Sequence, residues 1–255
     1  MKINSKDLIG LVFAITIIGL GVGNYLKGKK SGEATPLKDA KLNIEHNATD
    51  NDPGFQGFVD SEGWEKLVFT GPDGAVVLTI SGRGKLGNLG LTELFFETVE
   101  PANADVSIEE MLKMLPEGNY TIEGPGIEAG ERKGQTKGIA WLTHNIPSGP
   151  EILTPEENAE VTSNSDLIVS WNPVTKTITG SDVKIISYEL IIQKDEKPHQ
   201  HMIGKRGLDM YLPPSVTSIT IPKEFLEPGT AYKWEVLAIE ESGNQTLSSS
   251  QFRTQ

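Results

Sequence analysis

Strict alternation of apolar and polar side chains is the feature that most constrains the fold of this chain. Four runs show it, at Leu167–Trp171, Ile186–Ile192, Ile219–Ile221 and Tyr232–Ala238. Because successive side chains of a strand point to opposite faces of a sheet, each run predicts a half-buried β-strand. Several short strands at this spacing are typical of a β-sandwich, so we predict an all-β fold class.

A leucine, a Pro/Gly turn and a tyrosine recur in the same order at two places. One is Leu115-Pro-Glu-Gly-Asn-Tyr120 and the other is Leu226-Glu-Pro-Gly-Thr-Ala-Tyr232. This is the layout of a tyrosine corner, in which the tyrosine hydroxyl bonds to the backbone where the chain crosses between two sheets. The repetition predicts two tandem immunoglobulin-like β-sandwich domains, at residues 41–147 and 148–255.

The first domain contains signals for one hairpin and one short helix. Gly71-Pro-Asp-Gly74 lies between two apolar runs, as expected for the turn of a β-hairpin. Ser107 precedes an apolar stripe and Glu110 follows three residues later, which is the spacing of a helix capping box. The glycine-rich segment Gly82–Gly90 precedes a strand instead of opening a helix, so we interpret it as a bend or bulge and not as a phosphate-binding loop.

The N-terminus carries an uncharged apolar run, Leu8–Leu26, with lysines on both sides. As a helix this run would be about 28 Å long, close to the hydrocarbon thickness of a bilayer, about 30 Å. Residues 1–30 are therefore predicted to be an N-terminal hydrophobic helix that acts as a signal peptide or membrane anchor, and residues 31–40 a tether. The folded part is expected to be exported, and either anchored facing the periplasm or cell exterior or secreted after cleavage.

Charge and cysteine content exclude several classes of function. The formal net charge is −12, which disfavours binding to nucleic acids, and membrane contact is expected through the N-terminal segment only. The chain has no cysteine, so disulfides, thiol catalysis and thiolate metal sites are excluded. The sequence also lacks a G-x-S-x-G nucleophile motif, and we identify no catalytic residue and expect no bound organic cofactor.

Several motifs of the second half stand in a characteristic order: Trp171 and Pro173, Tyr188 and Leu190, the corner from Leu226 to Tyr232, and then Val236, Ala238 and Gly243. In this order they resemble a fibronectin type III domain over residues 148–254. The sequence departs from that family at Glu240, where the family often has Asn, and in an enlarged segment, Lys194–Pro214.

A second resemblance involves the stretches NATDNDPGFQ and GLTELFFETVEP of the first half. With them the chain is similar to a group of bacterial envelope proteins that contain fibronectin type III domains. This resemblance implies architecture and location. It implies no activity, because sandwiches of this type host many functions.

Two groups of residues could bind metal ions. Asp50 and Asp52 offer hard oxygen ligands in a turn, and with Glu97 from a neighbouring strand they could hold Ca²⁺. The alternative is a turn whose Asp and Asn residues have only a structural role. His199 and His201 could share a Zn²⁺ or Cu²⁺ ion, but their charged segment is better explained as a solvated loop.

These patterns predict a non-catalytic binding protein of the cell envelope, whose partner is an envelope protein or a glycan. The alternative is a polysaccharide-active enzyme, or its accessory carbohydrate-binding module, with an acidic groove in the first domain. Glu93 and Glu97 are the carboxylates that such a groove would use.

Overall fold

The computed structural model describes residues 34–102, 104–128 and 130–255. The predicted signal or anchor segment, residues 1–30, lies outside this part of the chain. The described residues are predominantly β-strand, which confirms the all-β class. Among them, no helix combines the length and the apolar character needed to cross a membrane.

The first domain is a sandwich of eight strands with two short helices. In chain order the elements are β1 Thr35–Pro36, β2 Asp39–Asn47, β3 Asp52–Trp64, β4 Lys66–Thr70, β5 Val76–Ser81, α1 Gly84–Leu89, β6 Leu91–Glu97, α2 Ile108–Met114, β7 Gly118–Glu128 and β8 Glu131–Leu142. One sheet has the order β1-β8-β7-β4-β5, and β6-β3-β2 form the other. Apolar side chains of both sheets, such as Ile44 and Ile122, fill one buried core between them.

The second domain is a three-on-four sandwich. Its strands are β9 Ile152–Thr154, β10 Ala159–Val161, β11 Leu167–Trp171, β12 Ile185–Lys194, β13 Gly207–Leu212, β14 Ser218–Ile221, β15 Ala231–Glu240 and β16 Gln245–Thr254. A three-stranded sheet, β14-β11-β9, faces the strands β16-β15-β12-β13, and β10 pairs with the edge of β16. The core includes Trp171 and Trp234, and Trp171 packs edge-on against Tyr188 at 5.4 Å between ring centroids.

A parallel pairing between β2 and β16 joins the two domains. It involves three residue pairs, from Gln245 opposite Glu45 to Leu247 opposite Asn47. The result is a continuous run of seven strands, β6-β3-β2-β16-β15-β12-β13, that crosses the domain boundary. We call the β2–β16 pairing the seam.

Both predicted corner tyrosines make the expected contacts. The Tyr120 hydroxyl donates to the Pro116 carbonyl at 2.7 Å. The Tyr232 hydroxyl donates to the Phe225 carbonyl at 3.2 Å and accepts from the Glu227 amide at 2.8 Å. Both tyrosines are fully buried, so each corner fixes the crossover between two sheets, as predicted.

The hairpin and the helix cap also agree with prediction. Gly74 has a φ of 83° in the turn between β4 and β5, a conformation that glycine adopts without steric cost. At the start of α2, the Ser107 hydroxyl accepts from the Glu110 amide while the Glu110 carboxylate accepts from the Ser107 amide. This reciprocal pair is the predicted capping box.

Two predictions about the first domain need correction. The predicted tether, residues 31–40, contains β1 and the start of β2, since Leu37 N donates to the Lys137 carbonyl at 2.9 Å. The glycine-rich segment forms the short helix α1 instead of a bend, so the domain has two helices and not one. Gly87 allows this because it lies directly against the backbone of Gly82, where a Cβ atom would come within 2.5 Å.

Candidate functional site

The continuous sheet has one face towards the two cores and one face away from them. In β2, Leu42 and Ile44 belong to the core, whereas Glu45 lies on the opposite face. In β15, Val236 is in the core and Leu237 is on the opposite face, in a separate small apolar cluster. We call this second side the outer face.

A groove lies on the outer face and receives side chains from both domains. Its volume is about 680 Å³, within the range of about 300–1,000 Å³ that is usual for ligand sites. Its lining includes Asn43, Gln56, Phe95, Trp141, Tyr211 and Gln245. Since β2, β3, β6 and β8 belong to the first domain and β13 and β16 to the second, the groove exists only while the seam holds the domains together.

Aromatic side chains of the groove are unusually exposed. Trp141 is 54% exposed, Tyr211 is 56% exposed and Phe95 is 41% exposed. Single exposed apolar residues are common, but several that share one concavity indicate a binding surface. Their rings provide flat apolar faces, and Trp and Tyr add a polar group at the edge.

Amide side chains form the polar part of the groove. The Asn43 side chain donates to Gln56 Oε1 at 3.3 Å, and the Gln245 side chain donates to the same oxygen at 3.2 Å. The Gln56 Nε2 donates to Glu45 at 2.9 Å and to Glu97 at 2.8 Å. Gln245 Nε2 also donates to Glu45, so these hydrogen bonds connect four strands across the seam.

Behind these amides lies a cluster of three carboxyl groups, Glu45, Glu97 and Glu100. One oxygen of each lies within 4.8 Å of the others. Burial raises the pKa of Glu45 to about 7, although the hydrogen bond from Gln245 lowers it. The Glu97 charge is a smaller raising cause, and the hydrogen bond from Gln56 is a smaller lowering one. Burial, followed by the charge of Glu97, raises the pKa of Glu100 to about 8. The cluster therefore changes its charge near neutral pH.

The predicted calcium ligands are only partly brought together. Glu97 lies in the carboxyl cluster, whereas Asp50 and Asp52 lie outside it but close enough for their charges to raise the pKa of Glu100. Asp50 is held in its turn by Asn47, whose side-chain amide donates to Asp50 Oδ2 at 3.0 Å. Calcium binding stays a prediction, with Glu45 and Glu100 as additional oxygen donors.

Sequence patterns did not single out Glu45 and Glu100 as members of a site. The available signal for Glu45 was a carboxylate at a polar position of an alternating strand, which is ambiguous, because alternate residues of a half-buried strand are usually solvated. Glu45 is only 6% exposed in the structure, because β16 pairs with β2 at this position and covers the side chain.

Other candidate residues lie elsewhere. His199 and His201 are exposed on a loop, with 5.5 Å between ring centroids, and are not part of the cluster. Glu93 lines the groove, whereas Glu97 belongs to the carboxyl cluster behind it. Glu62 in β3 and Glu65 directly after it form ion pairs with Lys38 and Arg132.

A further buried acid lies on the outer face at Glu189. It is completely buried, beside the Asp209 carboxyl group and the Tyr211 hydroxyl group. Burial, followed by the charge of the neighbouring Asp209, raises its pKa to about 8. Tyr211 of β13, which lines the groove, lies directly opposite Glu189 of β12 in the sheet. The outer face is thus acidic well beyond the carboxyl cluster.

Comparison with solved structures finds fibronectin type III proteins at low sequence identity. No family model matches the chain. The FN1–FN3 domains of chicken CNTN1 are 12% identical with a TM-score of 0.36, over 87% of this chain and 65% of that one. A two-domain fibronectin type III segment of chicken tenascin is 13% identical with a TM-score of 0.30, over 86% of this chain and 99% of that one. Fibronectin(III)-like modules of Clostridium thermocellum CbhA are 12% identical with a TM-score of 0.33, over 86% of this chain and 93% of that one.

The chain spans less than two thirds of the CNTN1 fragment, and all three TM-scores are low. The fold of the second domain is therefore assigned from its own features. These are the three-on-four strand order, the buried Trp171 and the Tyr232 corner. Together with the motif order in the sequence, they identify the second domain as fibronectin type III-like in fold.

Proposed function

We propose that this chain is a non-catalytic binding protein of the cell envelope. Its ligand is a glycan held in the groove of the outer face where the two domains meet, which we call the junction groove. The observation that carries the proposal is the combination of exposed aromatic rings with side-chain amides in one concavity. Sugar rings present apolar C–H faces and hydroxyl edges, and these match aromatic faces and amide groups respectively. Stacking and hydrogen bonding of this kind bind a sugar without requiring a reacting group.

The charges of the groove favour a neutral glycan over an acidic one. Glu93 and Glu241 line it, with Lys41 as the single basic residue among the described lining residues. The carboxyl cluster behind the amides adds further negative charge as it ionises. An anionic polymer would be repelled by this arrangement.

Export and anchoring form the second half of the proposal. The N-terminal apolar run would place the two sandwiches outside the cytoplasm, where envelope glycans occur. An envelope protein is the alternative partner, and it would use the same groove.

Binding of neutral hexasaccharides to the full-length chain in lipid nanodiscs tests the proposal. Cellohexaose, laminarihexaose and N-acetylchitohexaose would be titrated by calorimetry. Trp141→Ala and Tyr211→Ala should each weaken binding about tenfold, since stacking on an aromatic ring contributes about 0.5–1.5 kcal/mol beyond the apolar area that it buries. Ile168→Ala is the matched control, because Ile168 is equally exposed but lies on the opposite sheet. Equal effects of all three variants, or no binding at all, would refute the glycan proposal.

A polysaccharide-active enzyme is the second candidate, because two carboxylates, Glu93 and Glu241, line the same groove. Paired carboxylates are the usual catalytic set of glycoside hydrolases. Release of reducing ends from the same oligosaccharides, abolished by Glu93→Gln, would support this candidate. Binding without product release supports the non-catalytic protein.

A further inference from the structure

The loop between β12 and β13, residues 195–206, carries three side chains that can ligate a metal ion. They are His199, His201 and Met202, in the run His-Gln-His-Met. Met202 N donates to the His199 carbonyl at 2.8 Å, which closes a turn over these four residues. The first and last residues of such a turn lie close together, so one turn brings the three side chains into the same part of the loop.

The two imidazole rings are spaced as they would be around one ion. Their centroids lie 5.5 Å apart, with 57° between the ring planes. With metal–nitrogen bonds of about 2.0–2.1 Å, two imidazoles bound at a tetrahedral or trigonal angle place their centroids about 5–5.5 Å apart. The distance between the rings therefore already fits a shared ion.

One nitrogen of each ring has a lone pair that only an exposed hydrogen bond occupies. The His201 backbone N donates to His199 Nδ1 at 3.3 Å, and the Gln200 side-chain amide donates to His201 Nε2 at 3.1 Å. Because both donors are N–H groups, each of these ring nitrogens is an acceptor. Water competes for exposed hydrogen bonds, which makes their net contribution small, so a metal ion can replace them.

Met202 supplies the third ligand that the histidine pair by itself lacks. Together with His199 it lines a cavity of about 460 Å³, separate from the groove of the outer face. It is 45% exposed and belongs to neither hydrophobic core. Its thioether is therefore not committed to packing, and an ion can reach it from solvent.

Charge and ligand type select a soft ion of low charge. Imidazole and thioether groups are neutral, and a thioether is a soft ligand that suits Cu(I) and not Ca²⁺. Zn²⁺ in proteins is bound by thiolate, imidazole and carboxylate groups. Lys197 and Arg206 line the same cavity, and Glu196 is already paired with Arg206 at 2.8 Å. This basic charge repels a divalent ion more strongly than a monovalent one.

Ion pairs hold both ends of the loop in place. The buried Lys194 ammonium group, where the loop begins, pairs with Glu227. Arg206, where the loop ends, pairs with Glu196 and lies 3.6 Å from the same Glu227 carboxylate. A loop that is anchored in this way loses less conformational entropy when its tip binds an ion.

We propose that His199, His201 and Met202 form a surface site for a single Cu(I) ion. The site belongs to the second domain and does not depend on the glycan groove. It also differs in chemistry from the carboxyl cluster of Glu45, Glu97 and Glu100, whose oxygens are hard ligands. An exposed site with three neutral ligands binds and releases the ion without any opening of the fold.

Competition for Cu(I) tests the proposal. The full-length chain in lipid nanodiscs would be titrated, without oxygen and with ascorbate, against the coloured Cu(I)–bicinchoninate complex. The unaltered chain should remove about one equivalent of Cu(I), and His199→Ala, His201→Ala and Met202→Leu should each weaken binding about tenfold or more. Met114→Leu is the matched control, because Met114 is exposed on α2, and it should change nothing. No transfer of Cu(I), or equal transfer to all variants, would overturn the site.

The methionine methyl signals report on the sulfur ligand in the unaltered chain, whether or not a variant folds. With ¹³C-labelled methionine, the Met202 methyl signal should shift when Cu(I) is added, and the Met114 signal should stay in place. An unchanged Met202 signal would show that the thioether is not a ligand, and the assignment to Cu(I) then fails. An equal concentration of Zn²⁺ should leave the shifted Met202 signal unaltered, and displacement of Cu(I) by Zn²⁺ would likewise refute the choice of ion.

Discussion

Gln245 and Glu45 are separated by 200 residues in the sequence, yet the Gln245 side chain donates a hydrogen bond to the Glu45 carboxyl group. This contact lies at the seam, where β16 continues the sheet of the first domain. Asn244, the residue before Gln245, makes the second polar link: its Oδ1 accepts from Ile44 N and its Nδ2 donates to the Thr143 carbonyl, both at 2.9 Å. The domains are thus joined by buried polar contacts and not by a flexible linker alone.

Replacing Asn244 by alanine should weaken the seam. The substitution leaves Ile44 N and the Thr143 carbonyl without these partners in a buried position, and each unsatisfied group costs about 1–3 kcal/mol. We expect the free energy of unfolding in urea to fall by about 2–4 kcal/mol. Asn172→Ala removes an exposed asparagine that bonds Glu151, and it should change stability by less than about 0.5 kcal/mol. Equal losses in the two variants would show that the Asn244 contacts do not stabilise the fold.

Stability should fall as pH rises through neutrality. Glu45 and Glu100 titrate at about 7 and about 8 in the folded chain, against an ordinary pKa of 4.5. Between these values the folded chain holds more protons than the unfolded chain, so the free energy of unfolding decreases with rising pH. The loss from Glu45 should amount to about 3 kcal/mol and be complete above about pH 8, whereas the loss from Glu100 should continue to about pH 9.

Chemical denaturation from about pH 5 to about pH 8.5 measures this slope. Glu45→Gln should flatten it, because glutamine does not ionise, whereas Glu224→Gln, at an exposed site, should leave it unchanged. Stability that rises with pH over this interval would contradict the assignment of a neutral, buried Glu45.

Calcium should stabilise the first domain if the predicted ligands act together. At a concentration 100 times its dissociation constant, a ligand stabilises the native state by about 2.7 kcal/mol. Glu97→Gln should lose most of this gain, because Glu97 is the predicted ligand that lies beside Glu45 and Glu100. Asp50→Asn and Asp52→Asn distinguish a calcium-binding turn from a purely structural one. These variants should lose the stabilisation by calcium only if the turn contributes ligands. Identical calorimetric transitions in calcium and in chelator would rule out the metal.

Removing the Tyr232 hydroxyl should destabilise the second domain more than the matching change destabilises the first. Tyr232→Phe leaves the Glu227 amide and the Phe225 carbonyl without their partner, at a cost of about 1–3 kcal/mol. Tyr120→Phe removes one hydrogen bond, to Pro116, and should cost about 0.5–1.5 kcal/mol. Thermal unfolding of the two variants measures the difference, and an unchanged Tyr232→Phe protein would mean that the corner bonds do not contribute to stability.

Local pattern was sufficient to predict the alternating strands of the second domain, the hairpin turn, the helix cap and both tyrosine corners. It did not predict β1 and the start of β2, which lie in the segment predicted to be a tether. In each case the deciding interactions lie within a few residues of one another, as for Ser107 with Glu110 or Tyr120 with Pro116. Helix α1 was missed because its geometry depends on Gly87 resting against the backbone of Gly82, and a glycine-rich run does not specify which close approach will form.

The junction groove was decided by tertiary structure alone. Alternation in the sequence determined which side of β15 belongs to a core, because side-chain direction in a strand has a fixed period of two. No local period encodes the parallel pairing of β2 with β16, which brings Glu45 against Gln245 across the seam. That pairing buries a carboxyl group that would otherwise be solvated, and burial is the physical cause that moves its pKa to about 7.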